Sequence, residues 1–399
     1  MGGKNILFIS AWPISPATAG GQVRSLGFAQ ALVRLGHTVR IHTFGGRQED
    51  YRRARGCIEL QLAPGLSQYT DLNLFHGLLQ TTFRRLGAPP FWQYVLMRRG
   101  WVARELERAI DAADVVFSNM PHSAPLPGRF SRKPWIMLSH NVEWRLMEQG
   151  PWRERRWAGW MRRIESSAPA RFADIVAVTT EDQQFYRDHD ASHRQHVPIV
   201  GCGVDAAVYL PQPEERLRIR AQHGIADDER VVIFTGSRFA PNLQAVEAIC
   251  RYADRRADWL AERRIRILLV GSVVDVPFSR GAVLGVGRVP QIVPYLSAAD
   301  AGLNPVSSGS GANVKMFEYL AMRLPIIATT FGARGTDLVP HVDYLPCEPD
   351  DLTAALQALC ERDPAVWRAF GEEVWTRHRQ HCDMVEAVRA ALAELDAFR

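Results

Sequence analysis

Short apolar runs of four to eight residues alternate along the chain with longer stretches in which apolar positions recur at helical spacing. In the first half the runs predict strands at 5–11, 38–44, 58–62, 114–118, 135–139, 174–178 and 197–200. In the second half they predict strands at 231–235, 265–270, 283–285, 301–305 and 325–329. Both alternating positions of these runs are apolar, as in strands covered by helices on two faces. Strand and helix in alternation give βαβ units and parallel sheets. The pattern lapses in a polar, proline-containing stretch, 210–215, and restarts at Val231. The expected fold class is therefore α/β, with two Rossmann-like domains facing each other across a cleft: a first over 1–200 and a second over 201–375, followed by a helical segment, 376–399. No repeat of 20–50 residues and no low-complexity segment is visible.

The length of 399 residues suits two domains. With 47% apolar and 23% charged residues, the disordered, collagen-like and disulfide-scaffold classes fall away. The net charge of +5 hides an asymmetry, because residues 1–200 hold 26 basic and 17 acidic side chains and the remainder 22 and 26. An anionic partner on the first half would explain the excess, whether a phosphate-bearing substrate or an acidic membrane face; so would a biased solvated surface. Six cysteines without a CxxC pair fit a reducing compartment. His378, His381 and Cys382 lie close together but lack a second ligand cluster, so no metal site is expected. No signal-peptide pattern opens the sequence and no run reaches 18 apolar residues, which predicts a cytoplasmic protein, at most peripherally membrane-associated.

Three strand-to-helix turns carry chemistry. The first contains Gly20 and Gly21, with Arg24 one turn into the helix. Paired glycines there let backbone amides approach a ligand closely. The sequence is not G-x-G-x-x-G, and no acid closes the second strand to read a ribose, which argues against a dehydrogenase. The second turn runs Ser307-Ser308-Gly309-Ser310-Gly311-Ala312-Asn313-Val314-Lys315, and Glu318 follows three residues later. Small residues before a helix offer free amides to an anion, Lys315 adds a cation, and Glu318 could accept from a ribose diol. An i, i+3 surface ion pair is the plain alternative. The third turn is Gly236-Ser237-Arg238, whose guanidinium could complete a diphosphate clamp with Lys315.

The run Gly309-x-Gly311-x-x-x-Lys315-x-x-Glu318-Tyr319-Leu320-Ala321, with Pro325–Thr330 beyond it, resembles the nucleotide-sugar site of retaining glycosyltransferases of the GT-B fold, family 4. Gly20-Gly21-x-x-Arg24, Leu35–Val39, Ser139-His140-Asn141-Val142-Glu143, Ala173–Thr179 and Gly203-Val204-Asp205 resemble further segments in the family's order. The resemblance implies transfer of a sugar from a nucleoside-diphosphate donor with retention at the anomeric carbon, with no cofactor and no metal. It implies that Glu318 holds the donor ribose and that Lys315 and Arg238 neutralise the diphosphate. Gly236, Ser237, Gly309, Ser310, Gly311, Ala312 and Asn313 would surround the donor, and Val289 would border the base. Gly20, Gly21, Arg24 and His140 would line the acceptor side, with His140 touching the reacting sugar or the acceptor. The helix at 376–399 would return to the first domain. One departure stands out: Ser310 occupies the place of the first glutamate of the family's E-x7-E motif. A serine carries no charge to set beside a developing oxocarbenium ion, so a catalytically impaired nucleotide-sugar-binding protein stays open, as does a sugar-nucleotide epimerase or hydrolase.

The first half also carries a basic, tryptophan-rich helical stretch at 152–164. Trp157, Trp160, Met161 and Ile164 share one face, and Arg155, Arg156, Arg162 and Arg163 the opposite arc. It could lie on an anionic membrane or pack its tryptophans inward. The segment 91–101 repeats the theme. A glycan or lipid-linked acceptor is the expected partner, and no nucleic-acid-binding motif is present.

Overall fold

The computed structural model describes residues 2–17, 20–45, 56–72, 81–82, 85–86, 97, 104–123, 132–191, 196–309 and 313–398. The chain forms two units, one of residues 1–201 together with 384–399 and one of 202–383. The segment that rejoins the first unit begins at Met384. The preceding helix, Pro364–Cys382, belongs wholly to the second unit.

The first unit is built on strands β1 (Asn5–Ser10), β2 (Thr38–Phe44), β3 (Cys57–Ala63), β4 (Leu66–Asp71), β5 (Val115–Asn119), β6 (Trp135–Leu138) and β7 (Asp174–Val176), in the spatial order β3-β4-β2-β1-β5-β6-β7. Only β3 runs antiparallel, to β4. The strand expected at 197–200 is reduced to one bridge, Ala177 to Ile199. Alternate side chains of β1 feed two cores. Ile6 and Phe8 join Phe28, Leu32, Val388, Leu392 and Phe398 on one face, and Leu7 and Ile9 join Leu106, Ile110 and Tyr186 on the other. Each such buried side chain contributes about 1.5–3 kcal/mol, so the closing helix Met384–Glu394 is part of what holds this sheet.

The second unit contains β8 (Arg230–Thr235), β9 (Ile265–Val270), β10 (Phe278–Arg280), β11 (Val283–Gly287), β12 (Ala301–Asn304), β13 (Ile326–Ala328) and β14 (Leu345–Pro346), in the order β10-β11-β9-β8-β12-β13-β14. Strand for strand this repeats the first sheet, down to the antiparallel edge pair β10–β11. The two halves thus share a topology without a visible sequence repeat. In each sheet the chain reverses its direction of travel between the first strand and the fifth, β1/β5 and β8/β12. Ligands of such folds bind beyond the carboxyl ends of the strands at that point. Among the described residues no helix is long and apolar enough to cross a membrane. His378 Nε2 lies 3.3 Å from Asp343 Oδ2.

Candidate functional site

Strand β12 ends at Asn304, and the chain passes Ser307, Ser308 and Gly309 before the helix Val314–Ala321. Gly302, within β12, gives that helix its seat: a Cβ there would lie 2.4 Å from the Tyr319 ring. Tyr319 Oη in turn accepts from Thr235 N at 3.1 Å and donates to Leu303 O at 3.2 Å, locking the helix to the ends of β8 and β12. Gly309 has φ 116°, which disfavours any other residue, and it abuts Pro241 at the start of the helix Ala240–Arg255. Ser308 Oγ donates to Gln244 Oε1 at 2.9 Å.

These elements hold Lys315 and Glu318. Lys315 is 8% exposed. Its Nζ donates to Asn242 Oδ1 at 2.9 Å and stands 3.9 Å from the centre of the Phe234 ring. Burial pulls its pKa down to about 7, with Glu318 opposing. Burial raises the pKa of Glu318, against a hydrogen bond from Tyr209 Oη to Oε1 at 2.9 Å and the charge of Lys315. Lys315 and Glu318 do not form the direct ion pair that their spacing allows; each is held by a neutral side chain instead. Asn313, at the helix N-cap, makes no capping bond and donates from Nδ2 to Gly332 O at 2.8 Å. A desolvated ammonium, a helix start without a side-chain cap and a half-buried carboxylate are what a diphosphate joined to a ribose would need.

Of the other donor-side residues, Gly236 lies against Asn242, the partner of Lys315. Asn242 Nδ2 also donates to Ser237 O at 3.0 Å, so the Gly236–Arg238 turn and Lys315 are joined through one asparagine. The Arg238 side chain is 64% exposed and paired with Asp275 at 2.5 Å. An exposed pair of this kind exchanges cheaply for another anion. Val289 lines a separate cavity of about 460 Å³ with His223, Phe278 and Tyr295. No hydrogen bond or ion pair among the described residues joins Arg238 or Val289 to Lys315 or Glu318. Ser310, Gly311 and Ala312 lie outside the described residues, as does the 91–101 segment apart from Met97.

The corresponding end of the first sheet gathers Gly20, Gly21, Arg24 and His140. Gly20 and Gly21 open the helix Gly20–Arg34, and a Cβ on Gly21 would come within 3.8 Å of His140 Nδ1. Arg24 is 2% exposed, and its guanidinium is spent on backbone carbonyls: Ser139 O at 2.6 Å, Val200 O at 2.7 Å and Gly201 O at 3.2 Å. It therefore pins strand ends and, from Nη1, donates to His140 Nδ1 at 3.3 Å rather than facing outward. His140 Nε2 donates to Asn119 Oδ1 at 2.5 Å and lies 3.0 Å from Ser25 Oγ, while Asn119 Nδ2 donates to Ser10 Oγ at 3.1 Å. Burial, then Arg24 and His122, hold the imidazole pKa well below its usual value. His140 is thus a neutral ring of fixed tautomer that carries no charge; both of its nitrogens are engaged, so a sugar hydroxyl bonds it only by displacing Arg24 or Asn119.

The loop bearing His140 is fixed from behind. Glu165, 0% exposed, accepts from Glu143 N at 2.8 Å and Trp144 N at 3.1 Å, capping the helix Glu143–Gln149, whose N-cap Val142 has no side-chain acceptor. Glu165 lies on the helix Trp152–Ser166, whose Met161 and Ile164 are buried against Met147, with Trp157 and Trp160 half-buried beside them. Arg153, Arg155, Arg156, Arg162 and Arg163 are exposed, as is Trp152 at 60%. Burial raises Glu143 to about 7 and Glu165 to about 8. A carboxyl whose pKa rises on folding stabilises the fold below its unfolded pKa and loses that contribution as pH climbs through the folded value. Glu165 therefore contributes a fall in melting temperature between pH 5 and pH 8.5, against the opposite contributions of His42, His122, His140 and Lys315, whose pKa values burial lowers. The native melting temperature minus that of Glu165→Gln should fall across this range; a difference that does not change with pH would show that folding leaves the pKa of this carboxyl where it is.

Lys315, Glu318, His140 and the glycines are visible as motif residues. Asn242, Tyr209, Asn119, Ser25 and Glu165 are not. Only the position of Asn119 at the end of a strand beside the reversal point could have flagged it.

Sequence models of two families match the chain: Glycosyltransferase Family 4 over residues 18–208 and Glycosyl transferases group 1 over residues 229–362. Among solved structures, sucrose-phosphate synthase from Thermosynechococcus elongatus is similar at 16% identity, with 97% of each chain covered and a TM-score of 0.66. HepE from Anabaena, in complex with UDP and glucose, is similar at 15% identity over 99% of this chain and 100% of that one, with a TM-score of 0.65. WaaG, a glycosyltransferase involved in lipopolysaccharide biosynthesis, is similar at 14% identity over 98% and 100%, with a TM-score of 0.61. At such identities the likeness establishes the fold, the two Rossmann-like domains of the GT-B class. No curated protein sequence matches the chain.

Proposed function

Because the chain is a glycosyltransferase, of the family 4 type, we propose that it moves a sugar from a nucleoside diphosphate held by the second unit to an acceptor held by the first, with retention at the anomeric carbon. The observation that carries the reading is Lys315, a buried cation whose nearest partners are an amide oxygen and a ring face, with Glu318 one helical turn away. The leaving diphosphate takes Lys315 Nζ and the amides at the start of the helix Val314–Ala321, and Arg238 exchanges Asp275 for it. Stabilising that charge is the main work of the reaction, and fixed cations and dipoles perform it without a metal ion. Glu318, steadied by Tyr209, accepts from the ribose hydroxyls. His140 meets the sugar or the acceptor by exchanging one of the hydrogen bonds that Arg24 and Asn119 make to its ring.

The acceptor is a glycan, a glycolipid or a lipid-linked intermediate. The exposed arginine arc of the helix Trp152–Ser166 favours an anionic surface, with Trp152 as the side chain left to enter it.

The test is the melting temperature against UDP, GDP, ADP, dTDP and their sugar conjugates, with NAD as a control. UDP comes first because similar HepE was solved with it. A ligand at 100 times its Kd stabilises by about 2.7 kcal/mol. One nucleotide should shift the transition, and Glu318→Ala should abolish the shift. A response to NAD alone would sink the proposal.

A further inference from the structure

A cavity of about 690 Å³ in the second unit opens at the amino ends of its sheet strands. Arg230 at the start of β8, Asp300 just before β12 and Pro325 just before β13 border it, whereas the Lys315 site lies beyond the carboxyl ends of β8 and β12. Its volume is that of a small-molecule site. Trp367, Leu359, Leu324 and Leu296 form apolar walls.

The charges on those walls do not cancel. Four arginines, at 216, 230, 323 and 368, face two carboxylates, Asp300 and Glu372. Asp300 is fully claimed: Oδ1 accepts from Arg216 Nη2 at 2.7 Å, and Oδ2 from Arg220 Nη2 at 2.7 Å and Val231 N at 2.8 Å. Glu372 lies 3.4 Å from Arg323. Arg230 and Arg368 are left with no side-chain hydrogen bond or ion pair among the described residues. Two uncommitted guanidinium groups on the wall of an apolar cavity match a ligand with one anionic end and one apolar end.

We infer that this cavity is a second ligand site, for a small amphipathic anion whose alkyl chain or ring lies against Trp367, Leu359 and Leu324 and whose phosphate or carboxylate meets Arg230 and Arg368. Burying the apolar end supplies affinity, and the guanidinium groups select the charge. The site is separate from the donor's, and transfer chemistry makes no use of it.

Titration calorimetry on the full chain tests this with n-octyl phosphate, inorganic phosphate and the uncharged octyl glucoside. Octyl phosphate should bind one to one, with a negative heat-capacity change. The other two should bind at least ten times more weakly, since each lacks one of the two ends. Arg230→Gln with Arg368→Gln should weaken octyl phosphate at least tenfold, and Leu359→Trp, which fills the cavity, should abolish its binding. Should Leu359→Trp fail to fold, Leu210→Trp, at an exposed wall position, serves the same purpose. Absence of octyl phosphate binding, binding that survives the filled cavity, or displacement by saturating UDP would overturn the inference. Loss of UDP binding alone would count against the donor site and not against this one.

Discussion

Replacing Lys315 by alanine is expected to lower kcat/KM by about 10²–10³, equivalent to about 3–4 kcal/mol of transition-state stabilisation, as when one preorganised donor to a developing anion is removed. The same change should leave the fold at least as stable. In the ligand-free protein the ammonium is desolvated, with a pKa drawn down to about 7, so its burial costs stability while it is charged. A residue kept only for structure would give the opposite stability result. The pH dependence follows. A nucleotide-sugar diphosphate has no proton to lose near neutrality, and it pairs with the protonated lysine. Binding raises the lysine pKa, so affinity is full below about 7 and weakens as pH rises through that value. Dissociation constants from pH 6 to pH 9 would check this. A flat profile, or Lys315→Ala binding as tightly as the native protein, would remove Lys315 from the donor site.

Gly302→Ala should be the most damaging small substitution in the second unit. The new Cβ would lie 2.4 Å from two ring atoms of Tyr319, a residue that cannot retreat because its hydroxyl is bonded to Thr235 N and Leu303 O. Overpacking of about 1–3 kcal/mol, with about 1 kcal/mol for each hydrogen bond lost, sums to about 3–5 kcal/mol. A drop of roughly 10 °C is the expected readout. Hydrogen exchange should locate the damage: β8, β12 and β13 lose protection while β1, β5 and β6 keep theirs. A melting temperature within about 2 °C of the native value would mean that the helix Val314–Ala321 shifts without cost, and that the seat described for Lys315 and Glu318 is not rigid.

The two α/β units were legible because their central strands are short runs, apolar on both faces, that alternate with longer helical patterns. Strand β4, Leu66–Asp71, was not: its Gln68, Thr70 and Asp71 are polar, yet buried. Gln68 Oε1 accepts from Ile14 N and Ser15 N, and Thr43 Oγ1 donates to Thr70 Oγ1, tertiary bonds that leave no periodic trace. The apolar run at 197–200 misleads in the other direction, since part of its hydrogen bonding goes to Arg24 instead of a strand neighbour. At the site, the Lys315–Glu318 spacing could be read directly. Tyr209 and Asn242, which hold those two side chains, precede them by 109 and 73 positions and belong to no local pattern. Local spacing reveals candidate ligand groups such as Lys315 and Glu318; the side chains that hold them come from the topology.

Completion of the first unit waits on residues made long after most of it. Phe8, Phe28 and Phe117 share a core with Met384, Val388, Leu392 and Phe398, which follow the whole of the second unit in the chain. At 5–20 residues per second, the ribosome needs roughly 10–40 s to pass from residue 201 to residue 384. For that interval one face of the nascent sheet, covered by Phe28 and Leu32 of the helix Gly20–Arg34, lacks the rest of its cover and is open there to chaperones or to another nascent chain. The second unit, continuous in sequence, can close in the meantime, so the usual order of synthesis and folding is inverted: the half made first is finished last.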